Sequence, residues 1–512
     1  MQDFVRAGRG RRTCLILAGL MLVLAVCGTS RARAAEVLVL TPTGHARAYD
    51  DRFLVMPAAT PRPPHVVHAG MALASARKPK PRRHKPPTVT SVLTGMLKAG
   101  SISSSDYSRY RGVYGAAQSA ARRLHGLRRS ELSAVIGNLS QIAATGQLTP
   151  SRLPVLFETL ERNREWWTSG PLLSPDQRVE FSGSQLVWQY YPGQGIELQV
   201  LGTFGKADGM YSAGPSYTPQ LSALLQEMIP LAVPRSGGLA WEYYFHFEGS
   251  GLPWTSAMSQ ATGVEALTRA YEASGDPSYL SVAHQALAPF TAAPPTGVAV
   301  PTPLGTRYVQ YTFAPGDAIL NAFLQALIGL YDYAKASGDP LAQQLFAAGD
   351  REAQAEVPSY DTGAWSLYEP GQEDTLSYHQ LVTGFLQQLC QRTQASVYCV
   401  TAQHFESYLK TPPVLAQVTN RVRGGARATL QFTLSKYSHV GIVLTQGTRT
   451  ALLTSAYFGY GTDAFALPPL TPGTYSLRLA ATDLAGNFSR ITGSLVVVKP
   501  PPKRKPHRKR AK

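Results

Sequence analysis

The stretch RYVQYTFAPGDAILNAFLQALIGLYDY, residues 307–333, decides the fold of the central part of the chain. A polar, aromatic-rich segment ends at Pro315, Gly316 and Asp317, which break the chain and offer a cap for a following helix. Beyond this break, apolar residues recur at helical spacing: Ile319, Leu320, Phe323, Leu324, Leu327, Ile328 and Tyr331. The pattern predicts a helix that is mostly buried in the core.

Polar and aromatic side chains stand at the entrance of this helix. They are Arg307, Tyr308, Gln310 and Tyr311. A rigid helix can hold such side chains at the mouth of a cavity, so we expect a binding site at this entrance.

The composition indicates a globular protein with several domains. The chain has 512 residues, of which 44% are hydrophobic, and a formal net charge of +17. Twenty of its 49 Lys and Arg residues lie in residues 1–34, 77–85 and 499–512, which leaves 29 basic residues against 32 acidic ones. The middle of the chain is therefore nearly neutral. Because no nucleic-acid-binding motif is present, we expect the basic ends to contact an anionic cell surface, not a specific nucleic acid.

The N-terminus has the pattern of a secretory signal peptide, residues 1–34. Basic residues precede an apolar run at 14–27, and Ala32-Arg33-Ala34 forms a small-residue cleavage site. The run is shorter than the roughly 20 apolar residues that cross a bilayer. A lipoprotein anchor at Cys27 is the alternative. The sequence thus predicts a secreted or cell-surface protein.

Removal of the signal peptide takes away Cys14 and Cys27, two of the four cysteines. Cys390 and Cys399 remain. In an oxidising compartment, the sequence predicts a disulfide between them.

The segments that flank the central region change in character along the chain. Residues 35–90 are predicted to be a disordered, basic, Pro-rich linker, and residues 91–172 to be helical. Residues 173–212 are predicted to be a β-hairpin region that turns at 192–195.

After the central region the pattern becomes all-β. Residues 413–499 are predicted to form an immunoglobulin/fibronectin-like β-sandwich, in which LTPGTY at 470–475 resembles a tyrosine corner. Residues 500–512 form a basic tail.

An internal repeat organises residues 213–412. The motif Ala-Ser-Gly-Asp-Pro occurs at 273–277 and 336–340, where Gly ends one helix and Asp-Pro begins the next. A third, degenerate hairpin spans 389–405 and is closed by the predicted disulfide. The fold class is therefore multidomain and mainly α: an α/α toroid of helical hairpins, a small β region before it and the sandwich after it.

Four blocks in this region resemble the C-terminal domain of the D-glucuronyl C5-epimerase family in order and spacing. They are GLPWTSAMSQATGVEALTRAY (251–271), QYTFAPGDAILNAFLQALIGLYDY (310–333), YDTGAWSLY (360–368) and SYHQLVTGFLQQL (377–389). The resemblance implies a helical toroid with a catalytic cleft that acts on glucuronic acid residues of a polysaccharide of the heparan type.

The resemblance also implies the catalytic residues. Tyr311 matches the tyrosine of the family's Glu-Glu-Tyr-Pro block, Tyr368 the tyrosine after its Asp-Thr-Gly block, and Tyr378 the tyrosine of its Tyr-His block. Epimerisation at C5 removes a proton next to a carboxylate and returns one to the opposite face, so two acid/base groups are needed. A tyrosine serves if its pKa is lowered from about 10 towards neutrality.

Five further residues are predicted to bind the substrate. His379 and Arg307 would meet the substrate carboxylate, Trp254 would stack on a sugar ring, and Gln310 and Gln260 would complete the set. No cofactor or metal is expected, since no His/Cys cluster or Gly-rich phosphate loop is evident.

The chain departs from the family where two acidic residues precede the first tyrosine. Val309 and Gln310 occupy those positions, so a carboxylate base is missing there. Two alternatives to an epimerase therefore stay open. One is a polysaccharide lyase that removes the same C5 proton, and the other is a non-catalytic relative that binds a cell-wall glycan.

Overall fold

The computed structural model describes residues 33–41, 43–56, 63, 85–424 and 428–499. The basic tail and nearly all of the predicted signal peptide lie outside the described residues, as do the basic residues at 77–83, so these remain predictions. No described helix is both long and apolar enough to span a bilayer.

A five-stranded sheet gathers strands from two distant parts of the chain. Its strands are β1 (Arg33–Leu40), β2 (Ala46–Met56), β3 (Arg178–Phe181), β4 (Trp188–Tyr191) and β5 (Gly195–Leu198), in the order β2-β1-β3-β4-β5. Strands β1 and β3 are parallel, and the other neighbours are antiparallel.

The expectation of a disordered linker from residue 35 is corrected for residues 35–56. Val37 and Leu40 of β1 are buried against the rest of the molecule. Lys206 Nζ, also buried, lies 3.0 Å from Asp51 Oδ2 and 2.6 Å from Glu180 Oε1, which ties β2 to β3. The composition of the following Pro- and Lys-rich stretch concealed the short alternating pattern of these two strands.

Four helices occupy the next part: α1 (Val89–Lys98), α2 (Ser104–Arg123), α3 (Gly126–Ala144) and α4 (Leu153–Ser169). The hairpin β4–β5 then turns at 192–195, but the β region does not extend to residue 212. Helix α5 (Val200–Ser212) begins directly after β5, where the Gln199 side chain caps it by accepting from Gly202 N at 3.2 Å. Val200, Phe204 and Ala207 are buried at helical spacing, a period that the sequence reading missed.

The central region consists of paired helices. The pairs are α5 with α6 (Thr218–Met228), α7 (Ala257–Ser274) with α8 (Ser278–Gln285), α9 (Leu320–Ser337) with α10 (Pro340–Glu356), and α11 (Leu376–Thr393) with α12 (Ser396–Tyr408). Helices α5, α7, α9 and α11 pack side by side in that order. Helices α7 and α9 are buried along almost their whole length, and each second helix covers the first helix of its pair.

The turns within the pairs follow the predicted chemistry. Gly275 and Gly338 adopt left-handed φ values of 73° and 68°, and Asp339 caps α10 by accepting from Leu341 N at 2.8 Å. Gln394, at φ 58°, takes the glycine's place in the last pair, α11 with α12. The disulfide Cys390–Cys399 joins α11 to α12, so this prediction is confirmed.

A short strand pair precedes each of three central helices. These pairs are β6 (Val233–Arg235) with β7 (Gly238–Ala240), β8 (Ala299–Pro301) with β9 (Thr306–Tyr308), and β10 (Leu367–Glu369) with β11 (Gln372–Glu373). Helix α9 starts at Leu320 with Ile319 as its N-cap. Asp317 is therefore not the cap that the sequence offered; its N–H donates to Ala314 O at 3.1 Å and closes a turn before the helix.

The C-terminal β region comprises β12 (Leu415–Gln417), β13 (Arg421–Arg423), β14 (Ala428–Leu434), β15 (Ser438–Gln446), β16 (Arg449–Phe458), β17 (Gly461–Leu467), β18 (Gly473–Asp483) and β19 (Phe488–Val498). The sheets β12-β14-β17 and β13-β19-β18-β15-β16 enclose a separate apolar core. Tyr475 OH donates to Thr471 O at 2.9 Å.

Candidate active site

The three predicted tyrosines meet at the N-terminal ends of the central helices. Tyr311 lies between β9 and α9, Tyr368 lies on β10, and Tyr378 lies in the first turn of α11. The ring centroids of Tyr368 and Tyr378 are 5.1 Å apart. Tyr378 is also close enough to Tyr311 to raise the pKa of Tyr311, although burial is the larger cause. The structure thus brings together residues that are up to 67 positions apart in the sequence.

Two segments that precede central helices hold Tyr311 in place. Thr312 N donates to Thr255 O at 3.1 Å, and Ala257 N donates to Val309 O at 3.1 Å. Ser256 caps α7 and also donates from Oγ to Gln310 Oε1 at 3.3 Å. Gln310 therefore lies beside Tyr311, as predicted, with its amide already oriented by α7.

An aromatic wall surrounds Tyr311. Its ring centroid lies 5.1 Å from that of Phe313, 5.6 Å from that of Phe247 and 5.8 Å from that of Trp254. Burial raises the pKa of Tyr311, whereas a general base needs a lowered pKa. Tyr311 therefore keeps its proton at neutral pH and is a poor base, but it can donate that proton to a strongly basic group such as a carbanion.

Trp254 does not offer a ring face to a sugar. Only 5% of Trp254 is exposed, and its ring stacks on Tyr243 with centroids 4.2 Å apart. Its indole N–H donates to Phe245 O at 2.9 Å. The predicted stacking role is corrected: Trp254 is a buried member of the aromatic wall.

His379 and Gln260 are likewise removed from the predicted substrate-binding set, because neither has any exposed surface. His379 Nδ1 lies 2.7 Å from Ser366 Oγ and Nε2 lies 2.9 Å from Phe405 O, while burial lowers the pKa of this imidazole to about 3. The amide of Gln260 donates to two backbone carbonyls within the core. Polar residue types next to a family motif indicated contact with substrate, but both side chains satisfy buried backbone or hydroxyl groups.

Arg307 is already neutralised by a carboxylate. Its Nε donates to Glu356 Oε1 at 3.0 Å, and its NH2 contacts the same group. Burial raises the pKa of Glu356 to about 7, and the adjacent guanidinium acts in the opposite direction. This paired guanidinium is poorly suited to the predicted role of binding a substrate carboxylate.

Glu248 is a site residue that the sequence reading missed. It follows Phe247 of the aromatic wall, is exposed, and its carboxylate is close enough to raise the pKa of Tyr311. Its φ of 47° is unusual for a residue other than glycine, and a turn closed by Ser250 N donating to Phe247 O at 2.8 Å holds it. The signal in the sequence was an acidic residue inside the glycine-rich turn Glu248-Gly249-Ser250-Gly251.

A buried polar network lies in the part of the chain that connects Tyr368 to Tyr378. Ser366 Oγ donates to Asp374 Oδ2 at 2.5 Å and lies against His379, and burial raises the pKa of Asp374 to about 7. The neighbouring Glu373 accepts from Tyr437 N at 3.0 Å in the C-terminal β region. These bonds fix the segment that joins β10, which carries Tyr368, to α11, which carries Tyr378. Among the described residues, no group of three or more His, Cys, Asp or Glu side chains is arranged to hold a metal ion.

Comparisons with known proteins agree with the resemblance found in the sequence. The family model for the D-glucuronyl C5-epimerase C-terminus matches residues 236–407. The D-glucuronyl C5-epimerase of Caenorhabditis elegans is 36% identical over 129 residues, which are 23% of this chain and 21% of that protein. An uncharacterized protein from Methanocaldococcus jannaschii is 29% identical over 138 residues, 26% of this chain and 45% of that protein. The chain thus spans about a fifth of the first relative and under half of the second.

Solved structures of low similarity were also found. Cellobiose 2-epimerase from Spirochaeta thermophila is 12% identical with a TM-score of 0.34, covering 56% of this chain and 73% of that chain. The GH76 α-mannanase from Bacteroides thetaiotaomicron is 12% identical with a TM-score of 0.31, covering 45% of this chain and 65% of that chain. The family-model match includes all three tyrosines and confirms the resemblance that the sequence predicted.

Proposed function

We propose that this protein is an exported carbohydrate epimerase that inverts C5 of glucuronic acid residues within a polysaccharide. The observation that carries the proposal is the convergence of Tyr311, Tyr368 and Tyr378 inside the segment that matches the family model. We further propose that the paired helices form an α/α toroid around this site. The C-terminal region is proposed to be an immunoglobulin/fibronectin-like sandwich, for which the Tyr475 hydrogen bond to Thr471 gives support.

The proposed reaction moves one proton off C5 and one proton onto it. The proton leaves C5 as its bonding electron pair passes into the adjacent carboxylate, and a proton is then added to the opposite face. Tyr311, kept neutral by burial, is suited to donate a proton. Glu248 is the nearby exposed carboxylate and can accept one, which would replace the acids absent at Val309 and Gln310. Glu248 and Tyr311 would act on opposite faces of C5, with the pair Tyr368 and Tyr378 on the face of Tyr311.

Non-catalytic glycan binding is the second candidate function. Val309 is 1% exposed, so this position of the family's acidic pair faces the core, and the raised pKa of Tyr311 disfavours a phenolate base. A protein that only binds a glycan would keep the aromatic wall and the polar side chains beside it, but it would transfer no proton.

Deuterium incorporation at C5 distinguishes these functions. Glucuronate-containing polysaccharides are incubated with the protein in deuterated water, and an epimerase places deuterium at C5 without chain cleavage. Tyr→Phe at 311, 368 or 378 keeps the ring but removes the proton carrier, so exchange should fall by about 10²–10⁴-fold for an essential acid or base. Glu248→Gln should lower exchange over a similar range. Tyr331→Phe is the matched control, because its hydroxyl bonds Arg392 O near the far end of α9.

Each alternative has its own outcome. Ultraviolet absorbance from an unsaturated product identifies a lyase. Binding of a uronate polymer by the unmodified protein without any exchange identifies a binder. Exchange that none of the three Tyr→Phe variants alters contradicts the assigned residues.

A further inference from the structure

Arg178 is half-buried, and its guanidinium forms no ion pair with any residue that the structure describes. This residue begins β3, and its Nε and NH1 are buried without any hydrogen-bond partner in the described part of the chain. Three other arginines each have a carboxylate: Arg152 pairs with Glu242 at 2.7 Å, Arg269 with Asp208 at 2.9 Å, and Arg307 with Glu356 at 3.0 Å. An unpaired buried guanidinium is costly, so its presence suggests a partner from outside the chain.

The ionisable groups near this guanidinium do not form a hydrogen bond or ion pair with it. The ionisable groups that act on its charge are Tyr191, Tyr243 and Asp176. Burial raises the pKa of both tyrosines, which keeps them neutral. Asp176 is exposed, and its Oδ1 accepts from Gln189 Nε2 at 3.1 Å.

The fold makes a place for the guanidinium at the same end of the helices as the tyrosines. A Cβ atom on Gly202, in the first turn of α5, would lie only 2.7 Å from Arg178 NH1. Leu201 N of that turn donates to Tyr243 OH at 3.3 Å, and Tyr243 OH lies 2.6 Å from Ser259 Oγ in the first turn of α7. Arg178 therefore lies where α5 and α7 begin.

Further ring contacts connect the position of Arg178 to the aromatic wall beside Tyr311. The ring of Tyr191 lies 4.4 Å from that of Phe245, centroid to centroid. Phe245 contacts Phe247 at 6.4 Å, and Phe247 contacts Tyr311 at 5.6 Å. Tyr243 is also close enough to act on the ionisation of both Arg178 and Tyr311, so these two side chains lie near one shared tyrosine.

We propose that Arg178 binds the carboxylate of the uronate substrate. This inference rests on the proposed function for the substrate class. A guanidinium offers a planar pair of N–H donors that fits a carboxylate, and its charge would stabilise the negative charge that builds up there when C5 loses its proton. Arg178 would take the role that the ion-paired Arg307 cannot fill.

Calorimetric binding of two matched probes tests this role. One probe is a glucuronate-containing tetrasaccharide, and the other is its carboxyl-reduced counterpart. Arg178→Met should weaken binding of the acidic probe by about 10–100-fold and leave the reduced probe unchanged. Arg164→Met, on α4, is the control for loss of one positive charge and should bind both probes as the wild type does.

Gly202→Ala gives a second test that keeps the arginine. The added Cβ would displace the end of a flexible side chain, so the helix should remain stable while the guanidinium moves. We expect weaker binding of the acidic probe and unchanged binding of the reduced probe. Should Arg178→Met fail to fold, this variant still decides the question.

The outcomes separate this inference from the proposed function. If both variants discriminate between the probes as the wild type does, or if the wild type does not discriminate, the role of Arg178 is wrong. If Arg178-dependent discrimination is found without deuterium exchange at C5, the epimerase proposal fails and the carboxylate site stands. Exchange by the wild type with unaltered binding by the variants refutes the carboxylate site alone.

Discussion

Asp374→Asn should stabilise the protein, and the gain should grow with pH. Asp374 is fully buried, Ser366 Oγ donates to its Oδ2 at 2.5 Å, and its Oδ1 has no hydrogen-bond partner in the described structure. Burial raises its pKa from 3.8 to about 7. Asparagine keeps the shape and the oxygen that Ser366 contacts, but it cannot ionise.

The size and sign of the effect follow from proton binding. Between about pH 4 and pH 7 the folded chain keeps the proton of Asp374 while the unfolded chain loses it, so stability falls as the pH rises. One pKa unit corresponds to about 1.4 kcal/mol. From about pH 5 to about pH 8, the wild type should therefore lose about 3 kcal/mol through this group, and Asp374→Asn should not.

Urea unfolding of both proteins at these two pH values measures the difference. The free energy of unfolding of Asp374→Asn minus that of the wild type should be larger at the higher pH by about 3 kcal/mol. Glu161→Gln, an exposed residue on α4, is the control and should show a much smaller change. An equal difference at both pH values would refute the reasoning, because it would mean that Asp374 is not held protonated by burial.

Two further predictions concern packing and export. Gly329→Ala should destabilise the protein by about 1–3 kcal/mol, because a Cβ there would lie 2.3 Å from Ala261 O where α9 crosses α7. Thermal unfolding measures this change. The control is Gly384→Ala on α11, where nothing lies within 4 Å of the added Cβ, and equal stabilities of the two variants would contradict the close approach. The exported protein should begin near Ala35 and contain no free thiol, which intact mass with alkylation measures; two alkylated cysteines would contradict the disulfide, and a lipid on Cys27 would replace the cleavage prediction.

The sequence predicted the helices better than the strands. Helix α9 was evident because its apolar residues recur over five turns. The left-handed turns at Gly275 and Gly338 were predicted because glycine commonly ends a helix in this conformation. Strands β1 and β2 were missed because β2 pairs only with β1, and β1 pairs with β3 more than 130 residues away, a pairing that no local pattern shows. The start of α5 was missed since Val200 to Phe204 fits either period over so few residues.

The same contrast holds for the site: a local motif marks some residues, whereas the surroundings of others depend on packing between distant elements. The three tyrosines were found through a family motif that fixes their positions in the sequence. Whether a neighbouring polar residue faces the cleft or the core depends on packing, so His379 and Gln260 could not be separated from Gln310 by residue type. Glu248 and Arg178 lie outside the matching blocks, and their environments depend on contacts between elements distant in sequence.

The C-terminal β region is a structural part of the site. Glu373, Asp374, Thr375 and Tyr378 lie within six consecutive positions of the sequence. The first accepts backbone N–H groups of the β region, the second bonds Ser366, and the third caps α11 by accepting from Tyr378 N at 3.3 Å. Because each bond restrains the next, the orientation of Tyr378 depends on contacts made across the boundary between the helical and β regions. A spacer module would not need a buried carboxylate at this boundary, so the β region also positions the segment that carries Tyr378.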